Sequence, residues 1–256
     1  MQSNRIVLLA GKWDTTPVVY NFLVQHFTVE KVIIENAVPR KEFLKKRIKK
    51  LGWLPVIGQV LFQLLISKPL SAFSKKRIRE ILKQFNLSQN GIPEKNLITV
   101  SSVNSSECLQ TLKQLQPKLV VVHGTRIISK KILQGLDATT FINIHAGITP
   151  RYRGSHGAYW ALANNDRENC GVTVHFVDAG IDTGNVLFQE TISITGKDNF
   201  ATYSYLQLAI GLKLLKKAIE NFFNGKVEVR ESKLDSALWH HPTLWGYLYK
   251  RIKGVK

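Results

Sequence analysis

The sequence predicts a doubly wound α/β fold with a mainly parallel sheet, and three observations predict it. Continuous apolar runs recur along the chain, as strands buried on both faces require: "RIVLLAG" from Arg5, "KVIIEN" from Lys31, "KLVVVHGT" from Lys118, "FINIHAG" from Phe141 and "CGVTVHFV" from Cys170. Helical or irregular stretches separate them, in the alternation of βαβ units. Three runs lead into polar, glycine-containing loops, "GTR", "NIHAG" and "VDAGIDTG". An open α/β sheet gathers such loops into one crevice beyond the carboxyl ends of its strands.

At 256 residues the chain can bury a real core without staples. We expect residues 1–197 to form the main domain, with a basic helical insertion over about 39–85. Residues 198–256 should add a helix and a strand packed on the same domain.

The first strand follows a short, singly charged start, and its six-residue apolar run, Ile6 to Gly11, is too short for the core of a secretory signal. Thr16-Pro17-Val18 with Tyr20, Phe22 and Leu23 predicts a helix that has proline near its start. The intervening "GKWDTT" has neither the G-x-G-x-x-G nor the G-x-x-x-x-G-K-[ST] spacing, so no dinucleotide or ATP loop is expected there.

Next comes "PRKEFLKKRIKKLGWLPVIGQVLFQLLISKPLSAFSKKRIREILKQF", Pro39 to Phe85. The chain carries 36 basic and 18 acidic residues, a net +18, and this stretch alone holds thirteen Lys or Arg against Glu42 and Glu80. Its apolar run, Leu51 to Ile66, is interrupted by Pro55 and Gly58 and falls short of the ~20 residues of a membrane span. Two readings follow: a helical hairpin whose apolar face packs on the domain, which we favour, or an interfacial anchor with its cations at headgroup depth.

After the strands, Leu206, Ala209, Ile210, Leu214 and Leu215 recur at helical spacing, with Asp198 expected as the cap and Gly225 as the stop. "KVEVRESK" from Lys226 alternates like a half-exposed strand, and the tail "SALWHHPTLWGYLYKRIKGVK" is aromatic and basic. Cys108 and Cys170 fit neither a disulfide framework nor a zinc spacing; both read as structural, and a cytoplasmic location is expected, with the inner membrane surface as the alternative.

The chemistry concentrates in "FINIHAGITPRYRGSHGAYW". Residues two apart on a strand share a face, so Asn143 and His145 point the same way. An amide donor beside an imidazole suits stabilisation of negative charge on a carbonyl oxygen under attack, the ring adding a second donor and a proton source when protonated. Asp182, between Gly180 and Gly184, is the best candidate for a carboxylate that orients the ring and raises its pKa.

The stretch "NIHAGITPRYRGSHGAYWALANNDRENCGVTVHFVDAGIDTGNVLFQ" resembles the core of the folate-dependent formyltransferases: Asn-x-His, a Pro and a Gly-containing loop, Gly-Val-Thr-Val-His, then an Asp-x-Gly turn. The resemblance implies a Rossmann-like formyltransferase domain, 10-formyltetrahydrofolate as donor, a primary amine as acceptor, and Asn143, His145 and Asp182 as the catalytic trio. It implies that the donor's pterin lies against backbone of Gly124, Thr125, Arg126, Ile127 and Ile128, and of Val177, Asp178, Ala179, Gly180 and Ile181. Lys12, Arg151, Arg153 and His156 are the candidates for acceptor contact, each with a plain structural alternative. No metal is expected.

Within that family the first loop, "GKWDTT", differs from the Gly-Ser-rich loop of the glycinamide ribonucleotide enzymes. The sixty residues after Asp198 are too few for the β-barrel of the methionyl-tRNA enzymes. An amino sugar on a nucleotide or lipid carrier is therefore the favoured acceptor, with tRNA as the alternative because +18 suits a polyanion. A formyltetrahydrofolate hydrolase and a metal-dependent hydrolase are lesser readings, and the hairpin or tail leaves room for a homodimer. His175, on a strand, reads as a satisfied core residue.

Overall fold

A computed structural model describes residues 5–255. Strands β1 (Ile6–Gly11), β2 (Val29–Glu35), β3 (Leu97–Val100), β4 (Leu119–His123) and β5 (Thr140–His145) are parallel. A two-residue strand, β6 (Arg153–Gly154), stands apart from them. Strands β7 (Gly171–Phe176) and β8 (Val186–Thr191) complete the main sheet, each antiparallel to its inner neighbour, with β8 at the edge. The order is β3-β2-β1-β4-β5-β7-β8, so the winding reverses between β1 and β4, where such sheets open a crevice.

Period-two alternation assigns each strand residue to one of two cores. Ile6, Leu8 and Ala10 of β1 face helix α1 (Thr16–His26) and the long helix α9 (Phe200–Phe223), while Val7 and Leu9 face α6 (Ser106–Leu115) and α7 (Lys130–Gln134). Both sets are fully buried, which is why the strand reads as one unbroken apolar run. Burial pushes the thiols of Cys108 and Cys170 up to about 11 and about 12, so neither is a thiolate at neutral pH.

The insertion between β2 and β3 is helical: α2 (Arg40–Leu51), α3 (Trp53–Phe62), α4 (Lys68–Phe73) and α5 (Lys75–Gln84). Pro55 sits in the first turn of α3, where its missing N–H has no helical partner to lose, and a π-helical turn, Gln63–Ser67, carries α3 straight into α4. The apolar run is therefore not interrupted. Trp53–Phe73 is a 21-residue helix long and apolar enough, by length and composition, to cross a membrane, which corrects the shorter limit expected from the sequence.

One face of that helix is fixed to the domain. Phe62 is fully buried in an aromatic core with Tyr152, Tyr159, Phe200, Tyr203 and Tyr247. Gly58 lies against the Trp245 indole of α10 (Leu244–Ile252), where an added Cβ would overlap the ring. Tyr152, just before β6, and Tyr159, within α8 (Gly157–Ala163), both reach this core.

Two expectations at the C-terminal side are corrected. Asn199, not Asp198, caps α9: its side chain accepts from Ala201 N and its own backbone N–H donates to Thr202 Oγ1. Asp198 instead binds Arg77 of α5 and both the backbone N–H and hydroxyl of Thr195. "KVEVRESK" forms no strand; Arg230 makes one bridge to Val186 and lays its guanidinium over the Phe188 ring, but its alternating side chains find no second face to pack on. The strand of this region lies later, at β9 (Leu238–Trp239), which pairs in parallel with β6.

Candidate active site

Beyond the carboxyl ends of β4 and β5 lies a crevice of about 450 Å³. Its walls include Gly124–Ile128 after β4, much of the loop after β7, the end of β6 and the residues of β9 with His240. At its base stand Asn143, His145, His175 and Asp182. The sheet brings the first three together: Asn143 and His145 share a face of β5, and antiparallel pairing sets His175 of β7 directly opposite Asn143. The other face of the same strands, with Ile142, Val172 and Val174, packs on α9.

The hydrogen bonds define the local chemistry. His175 Nδ1 donates to the Phe176 carbonyl at 2.7 Å, which leaves Nε2 to accept from the Asn143 amide at 3.2 Å. One N–H of that amide is thereby used and the other is left over. His145 Nε2 donates to the Tyr152 carbonyl at 2.7 Å, and its Nδ1 lies 3.3 Å from Asp182 Oδ2. Asp182 Oδ2 also accepts from Gly154 N at 2.9 Å, and Oδ1 lies 3.7 Å from His175 Nε2.

Charge and burial compete at this pair. Burial of His145, which is 5% exposed, pushes its pKa below the ordinary imidazole value and outweighs the opposing pull of Asp182 and of the Tyr152 carbonyl. The ring is therefore mainly neutral at pH 7: the carboxylate pulls its pKa upward, as expected, but burial outweighs that pull. Burial acts on Asp182 in the opposite direction, towards a higher pKa, but the nearby His145, the proximity of the His175 ring and the Gly154 N–H prevail and hold the carboxyl down at about 2. The carboxylate is ionised throughout the physiological range.

The loops are held from outside the crevice. Glu35, at the end of β2, accepts the Arg126 backbone N–H at 2.7 Å and the Val103 N–H at 3.1 Å, and pairs with the Arg126 guanidinium at 2.8 Å. The Trp13 indole donates to the Gly124 carbonyl at 2.6 Å. In the other loop, Asp178 accepts from Gly180 N and from the Thr183 hydroxyl, closing the turn that presents Asp182.

The remaining predicted contacts lie elsewhere. Lys12 is exposed and is not part of the crevice wall. Arg151 pairs with Asp166 at 3.2 Å and lies 3.9 Å from Asp235, and Arg153 donates to the Ile181 carbonyl, bracing the loop from behind. His156 Nε2 meets His241 Nδ1 at 2.8 Å and its ring packs on Phe200. Ala179 is absent from the wall, whereas Val177, Asp178, Gly180 and Ile181 belong to it. Sequence reasoning missed His175 and Leu238–His240. The alternation of Thr173 and His175 against Val172 and Val174 marks a polar face on β7, but the antiparallel partner that makes this face part of a site has no local signature.

Among the described residues no group of His, Cys, Asp or Glu has a metal-holding arrangement. A sequence model of the family described as Formyl transferase matches residues 63–219. The methionyl-tRNA formyltransferase of Caldanaerobacter subterraneus subsp. tengcongensis is 32% identical over 137 residues, 53% of this chain and 44% of that protein. The protein of the same name from Thermodesulfovibrio yellowstonii is 34% identical over 139 residues, 54% of this chain and 43% of its own. The chain thus spans less than half the length of these curated relatives. Among solved structures, a sugar N-formyltransferase from Shewanella sp. FDAARGOS_354 aligns with TM-score 0.56 at 17% identity, covering 92% of this chain and 76% of that one. The phosphoribosylglycinamide formyltransferase of Streptococcus pneumoniae TIGR4 aligns with TM-score 0.54 at 19% identity, covering 86% and 99%. These likenesses establish a shared fold.

Proposed function

The chain belongs to the formyl transferase family, and on that premise we propose that it moves a formyl group from 10-formyltetrahydrofolate to a primary amine. The observation that carries this reading is the meeting of Asn143, His145, His175 and Asp182 at the base of one crevice. The crevice suits the donor: apolar Val122, Ile127, Ile128, Val177 and Ile181 offer walls for a flat heterocycle, and Asn143, His145, His175 and Asp182 gather where a carbonyl would react. The donor supplies an activated formyl carbon; the protein's own groups do the rest.

Asn143 offers its second amide N–H to the formyl oxygen as negative charge grows there. His175 fixes the amide's orientation by taking the first. The His145–Asp182 pair sits beside it as a neutral ring and an anion, able to take up the proton that the attacking amine must lose, directly or through water, and to return it to the donor nitrogen as its bond to the formyl carbon breaks. The amine has to arrive unprotonated, which a neutral ring favours over a charged one.

For the acceptor, an amino sugar on a nucleotide or lipid carrier is the main reading, supported by the shared fold with a sugar N-formyltransferase. A second reading, methionyl-tRNA, is favoured by the 32% identity to an enzyme of that name and by the net +18. Incubating purified protein and 10-formyltetrahydrofolate with nucleotide-linked amino sugars, lipid-linked amino sugars and methionyl-tRNA, and following the formyl mass gain, tests both. Loss of the Asn143 donor in Asn143→Ala should cost about 3 kcal/mol, a hundredfold or more in turnover. Release of tetrahydrofolate at a rate indifferent to every amine would replace transfer by hydrolysis.

A further inference from the structure

The outward face of the insertion is apolar where a solvated helix would be polar. On α3 and the turn that follows, Trp53 is 65% exposed, and Leu54, Ile57, Leu64 and Leu65 are about half exposed. Helix α10, packed against α3 through the Gly58–Trp245 contact, adds Trp245, Leu248, Tyr249 and Ile252, spaced i, i+3, i+4 and i+7 and all exposed. The two stripes stand side by side and make one surface from segments nearly two hundred residues apart in sequence.

Cations border this surface. Helix α2, which has no buried residue, carries seven Lys or Arg against Glu42, and Glu42 is already paired with Lys46. Beyond Asp235 the chain has no acidic residue, and α10 ends in Lys250 and Arg251.

Between α2 and α3 runs a groove of about 250 Å³, walled by Phe43, Leu44, Val56, Val60 and Leu64. Arg47 lies along it. Its Nε donates to Gln59 at 2.7 Å and its guanidinium lies over the Phe43 ring, while Nη2 is buried with no hydrogen-bond partner among the described residues. A buried guanidinium nitrogen without an acceptor is costly unless an anion supplies one. An apolar groove with that donor at its side has the chemistry of a phosphate attached to hydrocarbon.

We propose that α2, α3 and α10 form one docking surface for an anionic phospholipid bilayer, with the helices lying in the headgroup plane and Arg47 holding a lipid phosphate at the groove. Charge complementarity selects this occupant. A second copy of the chain would bring two strongly cationic faces together, and a nucleic acid would satisfy the cations but leave Trp53, Leu64, Leu65 and Ile252 in water. The helix lies on the bilayer and does not cross it, because crossing would pull Phe62 out of the aromatic core.

The test uses the full chain with vesicles of phosphatidylcholine alone or mixed with phosphatidylglycerol. We expect co-sedimentation with the anionic vesicles only, a blue shift of tryptophan emission, and quenching by brominated acyl chains that is lost in the Trp53→Phe, Trp245→Phe double variant and kept in Trp13→Phe. Leu64→Ser with Leu65→Ser should weaken binding on the order of tenfold, and Arg47→Gln several-fold on anionic vesicles, with near-ultraviolet circular dichroism unchanged. A protein that stays in the supernatant at low salt overturns the proposal. So does vesicle binding that is unquenched and indifferent to the leucine substitutions, which is adsorption by charge alone. So does a stable dimer in sedimentation equilibrium that the same leucine substitutions dissociate.

Discussion

At Asp182 the backbone adopts φ +51, a left-handed conformation that Asp tolerates better than most residues, and this turns the carboxylate back onto His145. Since Asp182 is what pulls the His145 pKa upward against burial, Asp182→Asn should move that pKa further below the imidazole norm, not towards it. An NMR titration of the His145 ring in both proteins reads the direction; an upward shift in the variant would mean that the carboxylate is not the ring's partner. Gly147 sets the other side of the same ring. A Cβ there would strike the Tyr152 carbonyl and stand 2.8 Å from His145 Nε2, so Gly147→Ala should destabilise the fold by about 1–3 kcal/mol and lower kcat more than it raises KM for the donor. Urea unfolding and steady-state kinetics check the two halves. The pairing of Asn143 with His145 was legible because period two is a property of any strand. The neutrality of His145 was not, because burial depends on Tyr152 and the loop to Gly157 folding over the ring.

At the scale of elements, the insertion is tied to the domain by one ion pair of unequal burial. Asp198 has no exposed side-chain surface, while Arg77 of α5 retains 17%. Removing the cation in Arg77→Met strands the carboxylate, which keeps its Thr195 contacts and a long one from the Thr202 hydroxyl, and should cost about 3 kcal/mol, at the lower end for a broken buried pair because those contacts remain. A urea unfolding free energy lowered by less than a quarter of that would show α5 to be held by its apolar face alone. Asn199→Ala, which removes the cap of α9 next to this pair, should cost about 1 kcal/mol in the same assay. Helix α9 was legible from its spacing, but its cap was not: Asp and Asn cap equally well, and which of two adjacent residues does so was decided by Arg77, a hundred and twenty positions away. The strand expected from "KVEVRESK" failed for the same reason in reverse, since its alternation was real but no partner edge reached it.

At the scale of the whole molecule, the crevice is closed by chain from both ends. Trp13 holds the Gly124 loop, and β9, near the C-terminus, pairs with β6 to wall the opposite side. Parallel strands and their loops were predictable from apolar runs; these long-range closures were not, because a two-residue strand carries no periodicity. Near these closures lie half-buried imidazoles. His123 and His241 are pushed down to about 4 by burial, and His156 is lowered for the same reason, with His241 and Arg47 adding repulsion. Each of these rings is neutral when folded and binds a proton when unfolded between about pH 6.5 and pH 4, so the unfolded state gains protons first and stability must fall as pH falls through that window. The carboxyls add to this lower down: Asp182, held at about 2, contributes stability that is complete above the ordinary Asp value near 3.8 and lost towards pH 2. Acidification also raises a net charge already at +18, and self-repulsion acts in the same direction. The urea midpoint should therefore be level from about pH 7 to 8, decline steeply between pH 6.5 and 4, and decline less steeply in His123→Gln, which removes one of the rings. A midpoint that holds or rises between pH 6.5 and 5 would mean that these rings carry their protons inside the folded protein.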